Sequence, residues 1–128
     1  MKVLIASSSI LATPVLDQLR KSNDHEILGI LTNPDKPTGR GQKIEANDLA
    51  LWAEENGFAT YKPSNSAEVE SIVSELKPDL VVTIAYGQLI KKTALTIPSY
   101  GWINIHFSAL PKWRGAAPVQ HAIMQGES

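Results

Sequence analysis

The chain contains no cysteine, which excludes disulfides and thiol chemistry and fits a reducing, cytoplasmic setting. It also lacks any apolar run near the roughly 18 residues by which a membrane-spanning helix is read, so no membrane partner is expected. The opening apolar run, Val3 to Ala6, is too brief for the hydrophobic region of a signal peptide. Neither sign of charge dominates: 12 Lys+Arg against 13 Asp+Glu leave a formal net charge of −1. No global field therefore draws the chain to nucleic acid, and any such contact must be local. Glycine is missing where one function class would need it. The turn after the first apolar run reads Ser7-Ser8-Ser9, whereas a dinucleotide-binding turn needs Gly-x-Gly-x-x-Gly so that backbone can approach a pyrophosphate. A nicotinamide dehydrogenase is thereby disfavoured. There is no P-loop, and His25, His106 and His121 are scattered without metal-ligand spacing, so no metal is expected. His25, between Asp24 and Glu26, and His121, after Gln120, read as surface residues.

What is present fits one folded unit. The 128 residues are 43% hydrophobic and 20% charged, enough to bury a core. Val3–Ala6, Ile27–Leu31 and Leu80–Ala85 are short, nearly continuous Val- and Ile-rich runs, the pattern of strands buried on both faces. Trp102–His106 is a fourth candidate and Phe58–Tyr61 a fifth. Helix-period segments alternate with them. Thr13 reads as a cap with Pro14 in the first turn, followed by Val15, Leu16 and Leu19. Ala46, Leu49, Ala50 and Ala53 form a second apolar face ended by Gly57. Val69, Ile72, Val73 and Leu76 form a third, with Asn65 and Glu68 as an N-terminal capping pair and Pro78 as the stop. Pro118, Val119, Ala122 and Ile123 read as a last short helix closed by Gly126. This alternation predicts an α/β fold, a Rossmann-like parallel sheet with helices on both faces.

In such sheets ligands bind beyond the carboxyl ends of the strands. Ser7–Ser9, Asn33–Lys43, Tyr86-Gly87 and Asn104–His106 all fall at such ends, so four distant segments are expected on one rim. The stretch 33–43 carries three cations, one anion, two prolines and two glycines. It reads as an ordered or semi-ordered loop, longer than the usual strand-to-helix connection. Asn104 and His106 are two apart on a strand and therefore share a face, with Ile103 and Ile105 turned to the other. A lone histidine at a strand end is most often a structural residue. Paired with an uncharged amide donor, it suits the stabilisation of an oxyanion on a small acyl carbon.

At these residues the chain resembles a known family. Asn104-Ile105-His106-Phe107-Ser108-Ala109-Leu110-Pro111 is similar to the active-site signature of the folate-dependent formyltransferases. Trp113-Arg114-Gly115-Ala116-Ala117-Pro118-Val119-Gln120, the loop Pro34–Gly41 and Ala85-Tyr86-Gly87-Gln88 resemble the branch that acts on methionyl-tRNA. The resemblance implies transfer of a formyl group from 10-formyltetrahydrofolate to the α-amine of initiator methionyl-tRNA. It implies that Asn104 and His106 are catalytic, that Ser108, Ala109, Leu110 and Pro111, with Tyr86 and Gly87, line the folate site, and that Arg40, Lys36 and Lys43 contact tRNA. It implies a monomer when the protein is complete. The first turn, Ser7-Ser8-Ser9-Ile10-Leu11-Ala12, departs from the family's Gly-Thr-Pro-x-Phe-Ala, and Phe107 and Ala109 replace commoner residues.

The family's third catalytic residue, an aspartate, lies beyond its histidine, and Asp79 sits at a strand start on the wrong side to replace it. Residues 1–128 are thus expected to be the front part of a catalytic domain, without that aspartate and without the C-terminal β-rich domain. Such a chain would be inactive or severely impaired and would expose an apolar sheet edge. Two other readings stay open. One is a formyltransferase acting on glycinamide ribonucleotide or an amino sugar. The other is a non-catalytic α/β module that binds tRNA or a nucleotide.

Overall fold

A computed structural model describes residues 1–39, 41, 43–106 and 122–123. In chain order the elements are β1 (Lys2–Ser7), a 3-10 turn (Ile10–Ala12), α1 (Thr13–Lys21), β2 (Glu26–Leu31), β3 (Lys36–Thr38), β4 (Lys43–Glu45), α2 (Asp48–Glu55), β5 (Thr60–Tyr61), α3 (Ser66–Leu76), β6 (Leu80–Ile84), α4 (Lys92–Leu95), β7 (Trp102–Ile105) and β8 (Ala122–Ile123). The main sheet runs in the spatial order β5-β2-β1-β6-β7-β8. β5, β2, β1, β6 and β7 pair parallel to one another, and β8 adds antiparallel to β7. The chain starts at the centre, builds outward through β2 and β5, then crosses through α3 to the other side of β1. That reversal leaves a crevice between the carboxyl ends of β1 and β6, where ligands collect in folds of this kind.

Strand alternation divides the core into two layers. Val3, Ile5, Ile30, Val82 and Ile84 face Leu16 of α1 and Leu49 and Ala53 of α2. Leu4, Ala6, Leu31, Val81 and Trp102 face Val69 and Val73 of α3 and Ala94 of α4. Helices therefore cover both faces, as the strand composition predicts. Trp102, 1% exposed, is the largest buried side chain of the second layer. Its indole Nε1 donates to the Ala94 carbonyl at 3.1 Å, so the indole's one donor is satisfied despite burial.

The helix ends follow local chemistry. Asn47 caps α2 by accepting from the Ala50 N–H at 2.9 Å. Asn65 caps α3 by accepting from the Glu68 N–H at 2.9 Å, while the Glu68 carboxylate accepts from the Ser64 N–H at 2.7 Å. This reciprocal arrangement is the predicted capping pair. Lys77, at φ 51°, closes α3 in the left-handed region ahead of Pro78.

Four sequence expectations are corrected. Thr13 is the first residue of α1 and caps nothing; Ala12 precedes it without a side-chain bond, and Thr13 Oγ1 donates back to the Ile10 carbonyl. The capping oxygen belongs to Ser9, which accepts from the Leu11 N–H and starts the 3-10 turn. Residues 33–43 are more than a loop, since β3 and β4 pair as an antiparallel hairpin around Gly39 and Gly41, both at positive φ. Ala122 and Ile123, expected in a helix, form β8 opposite Asn104 and Ile103. An apolar spacing of so few residues specifies a helix weakly, and the free edge of β7 offers backbone partners. His25 is half-buried, and its Nδ1 is buried without a partner among the described residues. It lines a cavity of about 350 Å³ with Arg20, Ile27, Asn56, Gly57 and Phe58, at the amino end of β2.

One backbone position fixes the register on the β2 side. Val3 pairs with Ile27 but Leu4 with Gly29, so Leu28 is an extra residue in a bulge. Gly29 has φ +156°, and a Cβ there would stand 2.6 Å from Tyr61 Cε2 and 3.0 Å from the Ala59 carbonyl oxygen. Gly29→Ala is therefore expected to destabilise the fold by ~1–3 kcal/mol through overpacking. Urea unfolding of the two proteins measures this, and an unchanged midpoint contradicts it.

Candidate active site

The residues at the carboxyl end of the sheet are placed by the strands that precede them. On β6, Thr83 is the one polar side chain in an apolar run and is 3% exposed. It lies on the same face as Val81 and opposite Asn104 of β7 in the ladder. Its hydroxyl donates to Asn104 Oδ1 at 2.8 Å. The Asn104 amide nitrogen stands 2.8 Å from His106 Nε2. Three side chains therefore form one polar line that starts buried at Thr83, passes through half-buried Asn104 and ends at exposed His106. Ile105, between them in sequence, packs against the layer on the other face. An amide nitrogen only donates, so the imidazole nitrogen that faces it accepts, and the neutral Nδ1–H tautomer fits the contact.

The rest of the rim closes on the crevice from β1 and β6. Ser8 Oγ donates across it to the Ala85 carbonyl at 3.3 Å. Ala85 has φ 50°, a left-handed conformation that costs an alanine on the order of 1 kcal/mol. It marks an abrupt exit from β6, and Gln88 Nε2 anchors the segment that follows by donating to the Pro63 carbonyl at 2.7 Å. Gly87 is exposed, and a Cβ on it would meet none of the described residues within 4 Å. Tyr86 is half-buried against the layer containing Leu4 and Trp102. Its hydroxyl is buried and has no partner among the described residues, and burial pushes its pKa up from 10.0 to about 12.

The hairpin borders the same rim. A cavity of about 130 Å³ is lined by Ser8, Asn33, Pro34, Lys36, Glu45, Ala46 and Asn47, which puts Lys36 beside the crevice. Lys43 is exposed on β4. Asp35, the loop's one anion, pairs with Lys62 Nζ at 2.7 Å, so the positive charge of the hairpin is less offset than composition suggests. Arg40 and Ser108, Ala109, Leu110 and Pro111 lie outside the described residues, as does His121. A larger cavity of about 470 Å³ runs along α1 between Leu11, Pro14, Val15, Gln18 and Leu19; with one amide as its polar group, it has no means of polarising a substrate. Among the described residues no group of His, Asp and Glu could hold a metal ion, and no helix is long and apolar enough to cross a membrane. Thr83 was not singled out by sequence. The available signal was a hydroxyl inside an otherwise apolar strand.

Comparison with known proteins agrees with this architecture. The family model described as formyl transferase matches residues 1–128. The methionyl-tRNA formyltransferases of Streptomyces avermitilis and of a Nocardioides species are 45% and 46% identical over 129 residues. These matches cover 99% of this chain but 42% and 40% of those proteins, so the chain spans well under half of their length. Among solved structures, phosphoribosylglycinamide formyltransferase from Anaplasma phagocytophilum superposes with a TM-score of 0.61 at 19% identity, over 90% of this chain and 53% of that one. A formyltetrahydrofolate deformylase from Pseudomonas syringae gives 0.60 at 25% identity, over 91% of this chain and 39% of that one. The structural likeness establishes a shared fold.

The buried phenol of Tyr86 makes a sharp test of the rim. Its raised pKa means that between pH 10 and about 12 the folded state holds a proton the unfolded chain has released, so stability falls as pH rises through that window. Tyr86→Phe is expected to raise stability by up to ~1 kcal/mol below pH 10, because it removes a buried hydroxyl that no described residue satisfies. It should also flatten the alkaline decline. Urea unfolding at pH 8 and pH 10.5 measures both effects, and a parallel decline in the two proteins contradicts the assignment.

Proposed function

The chain belongs to the formyl transferase family, and from that premise we propose that it carries the oxyanion-binding part of a methionyl-tRNA formyltransferase active site. The donor is 10-formyltetrahydrofolate and the acceptor is the α-amine of methionine on initiator tRNA. Curated relatives at 45–46% identity carry that name. The observation that carries the reading is the Asn104–His106 contact of 2.8 Å at the carboxyl edge of the sheet. The amine nitrogen attacks the formyl carbon, a C–N bond forms, and the carbonyl π pair moves onto oxygen. Asn104 commits one amide N–H to His106 and has a second to offer that oxyanion. While Asn104 holds Nε2, the Nδ1–H of His106 is a second donor for that oxyanion. The oxyanion's electron pair then re-forms the carbonyl, the carbon–N10 bond breaks with its pair going to N10, and the proton the amine loses passes to N10, giving tetrahydrofolate and the formylated amine.

Tyr86 and Gly87 flank the folate in this reading, together with Ser108, Ala109, Leu110 and Pro111. Lys36, Lys43 and Arg40 attract the tRNA phosphates, an interaction that weakens with salt. A local cationic hairpin on a chain of net charge −1 fits a polyanionic acceptor better than a small one. The absence of cysteine fits the reducing cytoplasm that this reading requires.

The test is formyl transfer by the complete gene product that contains this chain. Asn104→Ala is expected to lower kcat/KM by ~10²–10³-fold, the usual loss for one oxyanion donor. A loss under tenfold contradicts the role. Binding of a 10-formyl donor analogue, followed by the His106 NMR signals, separates the enzyme from a module that binds only tRNA, which would show no change.

A further inference from the structure

We propose that Thr83 is a positioning residue: its hydroxyl, acting through the Asn104 amide, decides which nitrogen of His106 carries the ring proton. The inference rests on the proposed function for its consequence, but the geometry and the test stand without it.

Thr83 is 3% exposed inside the run Leu80–Ile84, whose other members are apolar. A buried hydroxyl must find a partner or cost the fold its desolvation. Among the described residues two acceptors lie near it. Asn104 Oδ1 lies at 2.8 Å and the Ile103 carbonyl at 3.5 Å. The first is the ordinary length for an O–H···O bond and the second is beyond its useful range. The hydroxyl hydrogen therefore goes to the amide oxygen.

That choice sets everything downstream. With Oδ1 held inward, the amide must present Nδ2 to His106, 2.8 Å away. Nδ2 is a donor only, so Nε2 of the ring must be bare and the proton must sit on Nδ1. The opposite arrangement is chemically complete in itself. The hydroxyl would donate to Ile103 and accept from Nδ2, Oδ1 would face the ring, and the proton would move to Nε2. The two states differ in the Thr83 hydrogen, the amide's orientation and the ring proton together, and the hydroxyl's preference for the 2.8 Å acceptor selects the first. The difference matters for catalysis. In the first state the amide shows the crevice an N–H, which attracts an oxyanion. In the second it shows a carbonyl oxygen, which repels one.

Long-range ¹H–¹⁵N spectra of the labelled chain at alkaline pH, where histidines are neutral, read the tautomer directly. Wild type and Thr83→Ser should both show His106 with Nδ1 protonated and Nε2 bare. Thr83→Val keeps the shape and removes the donor, and should move the ring toward the Nε2–H form. An unchanged tautomer in Thr83→Val, or failure of Thr83→Ser to preserve the wild-type signature, overturns the proposal. Should Thr83→Val not fold, Asn104→Asp supplies the second arm. A carboxylate only accepts, so the ring nitrogen facing it should now be protonated, and a persistent Nδ1–H form would overturn the relay. In the complete gene product, Thr83→Val should lower kcat about tenfold, the worth of one ordinary hydrogen bond, with KM little changed. The tautomer is read without substrate, so failure of the relay and failure of the formyl-transfer reading are told apart.

Discussion

The parallel register of β1 against β6 is the constraint from which the site follows. Ser7 lies opposite Ile84, so both strands end at one level and the turn Ser7–Ser9 meets the segment starting at Ala85. β7 continues that level, with Asn104 beside Thr83 and Ile105 beside Ile84. A slip of one residue on β6 or β7 would send Thr83 or Asn104 to the opposite face and dismantle the polar line. The register is itself held by packing. Val3, Ile5 and Val82 interlock beneath α1 and α2, and Leu4, Ala6 and Trp102 beneath α3 and α4. Apolar burial on both faces of the sheet therefore fixes the polar chemistry at its rim.

The amino end of the same strands shows the same economy. Asp79, ahead of β6, accepts from the Lys2 N–H through its carboxylate at 2.8 Å. Its own N–H donates to the Lys2 carbonyl and its carbonyl accepts from the Tyr100 N–H. Through its carboxylate and its backbone, Asp79 ties three strand beginnings together at the end of the sheet remote from His106. It has a structural use there and is not near enough to take part in proton transfer.

Much of this was legible in the sequence for physical reasons. Strands buried on both faces need continuous Val and Ile, so Val3–Ala6, Ile27–Leu31 and Leu80–Ala85 announce themselves, and each proves a strand to within about a residue. The side-chain period of two put Asn104 and His106 on one face, and the 2.8 Å contact agrees. Other features were hidden because they depend on partners far away in sequence. The Thr83 hydroxyl acquires meaning only from Asn104 on the next strand. His25 sits between two acidic residues and reads as exposed, yet Asn56 and Phe58 come beside it from the turn that follows α2. The β3–β4 hairpin lacks strand-like composition and exists through its turn. α4 has four residues, too few for a period to show.

The account turns on the Asn104 amide and the His106 ring meeting one developing oxygen at the mouth of the β1–β6 crevice. A crystal structure of the complete gene product with a tetrahedral mimic of the formyl adduct tests this most directly. The account predicts the mimic's oxygen within about 2.7–3.1 Å of Asn104 Nδ2, with the His106 ring turned toward it. An oxygen bound by other donors, with the amide pointing away from it, would contradict the account.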